Sequence, residues 1–533
     1  MEASALWRYI TYFCAAIVLA PILTVASSWL LPLSDHWQHI YDNLLGRLVF
    51  NSITLLGGVL GLSALLGVSL AWLTGMCRFP GRRFYSWAML APFAIPAYVI
   101  GFVYTGLFEF GGPVQRFATD ILGLELALYG IRGYCGVVVV MALALYPYVY
   151  FIVRNGFVTT GSRAMEVGRS LGKKPLNVFL TVILPLSKPW IIGSLTLVGL
   201  EVLADFGTVS IFVYNTFTTA IYKAWFGFFS PETAAQLSSL LIGFVVIFFV
   251  IEQITRNKGQ FATGGAHGAR KDIILGPVAG GLACVYCGVV FSVGFLVPAI
   301  QLFYWAGAWL ADFDWRMMEL FLNSVVVAGS ASLVVLFFCI IIVMAERFFS
   351  TKKLGIAARL ATLGYAFPGS VLAVGVFLPL VRLDKIIGHY WEEVFGNPIG
   401  LVLTGTIFAM VLGLAIRFMA VAYSTLGNEV KRISPRLDEA ALNFGIFGWP
   451  LLKRVHLPLL YRGILVAGIL VFVDVLKEMP LTLMTRPFGW DTLSVRIFEM
   501  VSEGEWERAA FPAVILILTG LIPVAVLAKQ MRS

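Results

Sequence analysis

Apolar runs of about 20 residues recur along the whole chain, each long enough to cross a hydrocarbon core of roughly 30 Å as a helix. Lipid offers no partner for backbone N–H and C=O groups, so a spanning segment must satisfy them within itself. The runs are continuous rather than alternating, which selects helices over a β-barrel. With 59% hydrophobic and 13% charged residues, the 533-residue chain carries too little charge to cover a soluble surface. An all-α polytopic membrane protein is expected. Twelve spans are predicted, near residues 9–31, 48–74, 86–108, 134–153, 190–212, 235–254, 273–296, 321–345, 357–381, 399–423, 463–483 and 509–528. The first is longer than the apolar core of a signal peptide and has only Arg8 before it, so it reads as an uncleaved anchor.

A net charge of +9 invites a nucleic-acid partner, but its distribution argues against one. With the N-terminus inside, most Lys and Arg fall in segments on the inner face. This positive-inside bias predicts both termini in the cytoplasm, with lipid as the surrounding partner and no nucleic acid. Cys284-Val-Tyr-Cys287 lies within a span and reads as packed small residues, not as half of a zinc site. His36-x-x-His39 reads as surface polar residues, and no secreted-type disulfide framework is visible.

The chain repeats itself at an offset of about 272 residues. Asn51-Ser-Ile-Thr matches Asn323-Ser-Val-Val, and Pro96 matches Pro368. The implied halves are 1–254 and 273–533, joined by a glycine-rich basic linker at 255–272. Six spans per copy is an even number, so both copies enter the membrane in one orientation, as two parallel six-helix repeats.

A long cytoplasmic loop interrupts each half, at 154–189 and 424–462. Glu166 to Pro185 matches Glu439 to Pro458: in each, Glu precedes Gly (Gly172, Gly445) by six residues, and Leu-Pro follows that Gly by thirteen. Ser434-Pro435 is a helix start. Gly172 and Gly445 suit the left-handed residue that ends a helix. Pro175 and Pro450 are expected to open a second short helix, which Pro185 and Pro458 break where the next span begins. Ordered loops of this length tend to be functional, and two of one pattern suggest docking elements for a cytoplasmic partner.

These loops resemble the EAA motif of the membrane subunits of bacterial ATP-binding-cassette importers. The second copy keeps Glu439-Ala440-Ala441, whereas the first has Glu166-Val167-Gly168. The resemblance implies that Glu166, Gly172, Pro185, Glu439, Ala440, Ala441, Gly445 and Pro458 couple the chain to a cytoplasmic ATPase, present in two copies. No phosphate-binding G-x-x-x-x-G-K-[ST] loop is found; the one Gly-Lys, Gly172-Lys173, continues with Lys174. The chain is thus expected to be no enzyme and to hold no cofactor, with ATP and Mg bound by the partner.

Charged residues within spans are costly and tend to face a cavity. Glu201 and Asp205 in the fifth span match Asp474 and Glu478 in the eleventh. Each pair is spaced i, i+4, which predicts one helix face. They read either as internal ion pairs, Asp474 with Lys477 among them, or as an acidic outer vestibule suited to a hard cation without a tight metal site. The segments Leu203 to Phe226 and Leu476 to Met500 look like those of fused ferric-iron importer permeases. This implies a permease of the bacterial inner membrane, fed with ferric iron by a periplasmic binding protein and driven by ATP through alternating access. Related permeases for thiamine, phosphonate or polyamine share the frame. A secondary transporter with two six-helix repeats is the rival class.

Overall fold

The computed structural model describes all residues except 1, 31, 33, 34, 121, 122, 124–130, 162–164, 166, 169, 171, 257–271, 309–314, 350 and 531–533. Most of the linker expected at 255–272 therefore lies outside the described residues. The principal helices are α1 (Glu2–Ala26), α2 (Gly46–Met76), α3 (Ala97–Leu107), α4 (Tyr134–Gly156), α5 (Lys188–Ala204), α6 (Pro231–Arg256) and α7 (Pro277–Phe291). They continue with α8 (Arg316–Phe348), α9 (Gly369–Phe395), α10 (Ile407–Arg432), α11 (Pro435–Asn443), α12 (Leu457–Lys477) and α13 (Trp506–Gln530). Among the described residues, 9 helices are long and apolar enough to cross a membrane, or up to 11 if two bent pairs each count as a span. The protein is thus the all-α polytopic membrane type expected. Large apolar side chains such as Phe50, Leu65, Val285 and Leu333 stay exposed along the helices, as a lipid-facing surface requires.

Two spans expected to be straight are broken instead. Arg82–Ala94 and α3 meet at 89°. The expected span 357–381 likewise divides into Lys352–Ala361, a tight turn at Leu363–Ala366 and α9. Both breaks fall at proline. Ile95 and Phe367 are extended (ψ 120° and 140°), the conformation a following proline favours. Pro96 and Pro368 then stand at the N-caps of α3 and α9, where a missing N–H leaves no bond unmade.

The helices gather into two compact units, neither contiguous in sequence. One comprises Met1–Ile40, Ala220–Ile242 and Phe313–Phe498. In it α1 lies against α8, α9 and Lys352–Ala361, while α8, α10 and α12 pack on one another. A Cβ on Gly375 would stand 2.6 Å from the Pro21 carbonyl oxygen, so the approach of α1 to α9 requires glycine there. The other unit comprises Tyr41–Thr219, Gly243–Asp312 and Glu499–Ser533. Here α2, α4 and α5 pack together, α3 packs on α4, and Val297–Ala308, the continuation of α7, packs on α13. The end of the linker joins this unit: β1 (Cys77–Arg78) pairs in parallel with β2 (Ile273–Ile274), and Arg82 Nη1 meets Asp272 Oδ2 at 2.6 Å.

Corresponding positions do corresponding work in the two units. Thr74 and the Tyr150 hydroxyl bridge α2 to α4 at 3.0 Å, and Glu346 accepts from the Tyr423 hydroxyl between α8 and α10 at 2.5 Å.

The connection between α9 and α10 is tied by one carboxylate. Asp384 is buried and accepts from the N–H groups of Val402 (3.0 Å), Leu403 (2.7 Å) and Thr404 (2.8 Å) and from the Thr404 hydroxyl (2.6 Å). Burial disfavours its charged form, but these donors outweigh burial and hold its carboxyl below the ordinary carboxylate range. The stability it supplies is therefore complete above about pH 4 and lost as pH falls through the lowered folded-state value. Asp384→Asn should open the 384–404 segment to limited proteolysis roughly tenfold faster at neutral pH, the effect of losing a charge-assisted hydrogen bond. The wild-type segment should reach similar susceptibility only in acid, and equal cleavage of both proteins at pH 7 would remove the tie from the account.

Candidate functional site

The second long loop folds as a short helix, a reversal and a second helix. Ser434 Oγ accepts from the Arg436 N–H at 3.4 Å, and Pro435 opens α11. Gly445 is left-handed, with φ +70°. Ile446 N–H donates to the Ala441 carbonyl and Gly445 N–H to that of Leu442, both at 2.9 Å, which closes α11. Glu439 and Ala440 point to solvent and Ala441 is buried. Beside them Leu437, Leu442, Phe444 and Phe447 are exposed, Phe444 by 83%.

The first loop repeats the reversal. Gly172 has φ +74°, and Lys173 N–H donates to the Gly168 carbonyl at 3.0 Å. Pro175 opens Pro175–Val178, with Val167 and Leu176 exposed on either side of the turn. Glu166 lies outside the described residues.

The Leu-Pro steps behave differently from expectation. A π turn precedes each one, at Phe179–Ile183 and Leu452–His456. After Pro185 the helix bends by 65° at Ser187. Pro458 does not break its helix: Trp449–Lys477 runs through as one 29-residue segment. The wider turn relieves the clash that proline would make with the preceding turn of a regular helix.

Two residues that the sequence reading missed, Arg347 and His456, lie under α11 and meet a third on it, Asp438. Arg347, at the end of α8, donates from Nε to Asp438 Oδ2 at 2.7 Å, and to the carbonyls of Val430 (2.8 Å) and Ile433 (3.1 Å). His456 Nε2 stands 2.9 Å from the other oxygen, Asp438 Oδ1. The available signal was three ionisable groups at helix ends in a chain that carries few.

The acids in the fifth and eleventh spans do not share continuous helix faces. α5 ends at Ala204 and α12 at Lys477, so Asp205 and Glu478 fall at breaks. Asp205 accepts from Thr208 Oγ1 (2.8 Å) and the Val209 N–H (3.1 Å), capping Gly207–Ile211. Glu478 Oε1 accepts from the Leu481 N–H (3.2 Å), capping Pro480–Thr485. Their own carbonyls receive hydroxyls from further along the chain: Thr218 to Asp205 at 2.7 Å and Ser494 to Glu478 at 2.9 Å. The i, i+4 spacing misled because a capped break looks the same in sequence as one more helical turn. Glu201 and Asp474 remain within α5 and α12, half-buried, and Asp474 acts electrostatically on Lys477. Among the described residues, no three His, Cys, Asp or Glu side chains gather closely enough to share a metal ion.

Glu478 has a second partner. Arg417 Nε on α10 stands 3.3 Å from Glu478 Oε2, and both side chains are buried. A Cβ on Gly369 would strike both, so glycine at the start of α9 makes room for the pair. The first copy has Ala144 and Ala97 at the corresponding positions. Arg417→Met should lower stability by about 3–5 kcal/mol, because it strands a buried carboxylate. Adding Glu478→Gln should recover most of that loss in thermal unfolding of the detergent-solubilised chain; equal losses in the single and double variants would show that the charges are not coupled.

Residues 63–257 match the family described as the binding-protein-dependent transport system inner membrane component. The chain is 28% identical over 473 residues to the Fe(3+)-transport system permease protein FbpB 2 of Haemophilus influenzae, covering 87% of this chain and 86% of that one. It is 24% identical to the putative ferric transport system permease protein FbpB 1 of the same organism, over 80% and 68% of the two chains. The sulfate transport system permease protein CysT of Salmonella typhimurium is 27% identical over 267 residues, 92% of that protein but 47% of this chain. The two reversing loops thus sit in a chain that matches binding-protein-dependent inner membrane components over 63–257 and resembles ferric-iron transport permeases along most of its length.

Proposed function

We propose that this chain is the transmembrane permease subunit of an ATP-binding-cassette importer that brings ferric iron into the cytoplasm. The observation that carries the reading is the pair of loops at a constant sequence offset, each closing a helix on a left-handed glycine and presenting exposed apolar side chains. A surface of that kind fits a cleft on a partner better than it fits water. The ferric-iron permeases of Haemophilus influenzae, similar along most of the chain, support iron as cargo.

In this reading two copies of a cytoplasmic ATPase receive the loops, through Glu439, Ala440 and Gly445 in the second and Gly172 in the first. ATP and Mg bind on that partner. A periplasmic binding protein delivers iron to the outer face, and both termini lie in the cytoplasm. The sulfate permease covers about half of this chain, as a fusion of two six-span halves, 1–254 and 273–533, would have it. α5 and α12 follow the loops directly, so they are the elements through which ATPase closure reaches the pathway. Glu201, Asp205, Asp474 and Glu478 are the acids we assign to the pathway as candidates; Glu478 is paired with Arg417.

In iron-starved cells, uptake of radiolabelled ferric iron should depend on this chain and stop on ATP depletion. Glu439→Lys should lower it by roughly tenfold or more, through an unpaired charge in a docked interface. Chain-independent iron uptake would move the cargo to thiamine, phosphonate, polyamine or an oxyanion. Chain-dependent uptake that outlasts ATP depletion would favour a secondary transporter.

A further inference from the structure

The cluster under the second loop joins three elements through one carboxylate. Arg347 lies in the last turn of α8, Asp438 in the first turn of α11, and His456 at the end of the π turn before α12. Their side chains are 11%, 14% and 0% exposed. Burial removes competing water and strengthens each contact. The rings of Phe348, Trp7 and Trp449 close around the site: Phe348 lies edge-on to His456 at 5.7 Å, and Trp7 packs on Phe348 and Trp449 at 5.9 and 5.7 Å.

Arg347 also spans a hinge. Only Ile433 and Ser434 separate α10 from α11. The guanidinium holds the Val430 and Ile433 carbonyls on one side of that joint and Asp438 on the other, a use suited to its rigid fork of donors. The joint cannot flex without breaking these buried bonds. A negative charge in the first turn of α11 is further favoured by the helix dipole.

The first loop is built otherwise. The positions corresponding to Arg347, Asp438 and His456 hold Gly75, Met165 and Ile183, and Met165 and Ile183 are each 1% exposed. Met165 and Ile183 are apolar, while the Gly75 carbonyl accepts from Arg82 Nη2 at 3.4 Å, and Arg82 is itself paired with Asp272.

We propose that Asp438, held by the Arg347 guanidinium and 2.9 Å from the His456 ring, is a positioning residue that makes α11 move as one body with α8 and α12, so that the second loop transmits ATPase movement while its joint stays closed. This rests on the importer reading above. It makes the two loops differ at this joint: the second carries Asp438 where the first has Met165.

The test uses the affinity-tagged full-length chain in its native host, isolated with whatever ATPase accompanies it. Asp438→Asn should leave chain and ATPase recovered at wild-type levels and ATP hydrolysis within about twofold, while radiolabelled ferric-iron uptake per ATP falls roughly tenfold, the equivalent of one charge-assisted buried contact. Asp438→Glu should restore part of the ratio. Arg347→Met with Asp438→Met and His456→Ile replaces the whole cluster by apolar groups, which strands no charge and is tolerated in folding. That triple variant should accumulate normally and be uncoupled in the same way. Uptake and hydrolysis falling in parallel, or an unchanged ratio in a well-folded triple variant, would overturn the assignment alone. If the unaltered chain brings down no ATPase and its iron uptake ignores ATP depletion, the importer reading falls and this assignment with it.

Discussion

In hydrocarbon every backbone carbonyl and N–H must find its partner within the protein, and this constraint governs where the helices stop. Two of the breaks fall at Pro96 and Pro368, which have no N–H to leave open. Two others, at Asp205 and Glu478, have no proline at the break itself. There the polar groups are satisfied by side chains: a carboxylate caps the next short helix, and Thr218 or Ser494 returns a hydroxyl to the freed carbonyl. An acid in a membrane span thus has a use that needs no cargo. It substitutes for the missing turn of helix and allows the chain to reverse within a region that would otherwise hold only straight helices.

The same constraint explains what could be read from the sequence. Apolar runs gave the helical class and most of the spans, because length and hydropathy are local properties. Ser434-Pro435, Gly172 and Gly445 gave the loops, because caps and left-handed glycines are also local. Three features depended on partners far along the chain and were not legible. The breaks at Asp205 and Glu478 need Thr218 and Ser494. The placing of α1 among α8 and α9, and of α7 with the helices of the earlier sequence, depends on contacts such as Gly375 against Pro21. The cluster of Arg347, Asp438 and His456 draws on residues spread over more than a hundred positions. Pro458 also misled: a π turn precedes both Leu-Pro steps, and only the first is followed by a bend, two residues on at Ser187.

The two copies share a frame but differ in how its joints are made. Where the first has Ala97 and Ala144, the second has Gly369 and Arg417, the latter paired with Glu478. Where the first has Thr74 on the Tyr150 hydroxyl, the second has Glu346 on that of Tyr423. Where the first has Gly75, Met165 and Ile183, the second has Arg347, Asp438 and His456. In each case the second copy puts charge where the first has neutral or apolar groups.

Stability alone does not account for that substitution. A buried ion pair loses about as much hydration as it gains in attraction, and apolar replacements are often as stable or more so. What charge adds is geometry. A carboxylate and a guanidinium accept only a few arrangements, and departure from them strands a buried charge, whereas apolar attraction is not directional. In the second copy that geometry fixes α11 against the end of α8 through Arg347 and Asp438, whereas in the first Arg82 binds the Thr74 and Gly75 carbonyls and pairs with Asp272.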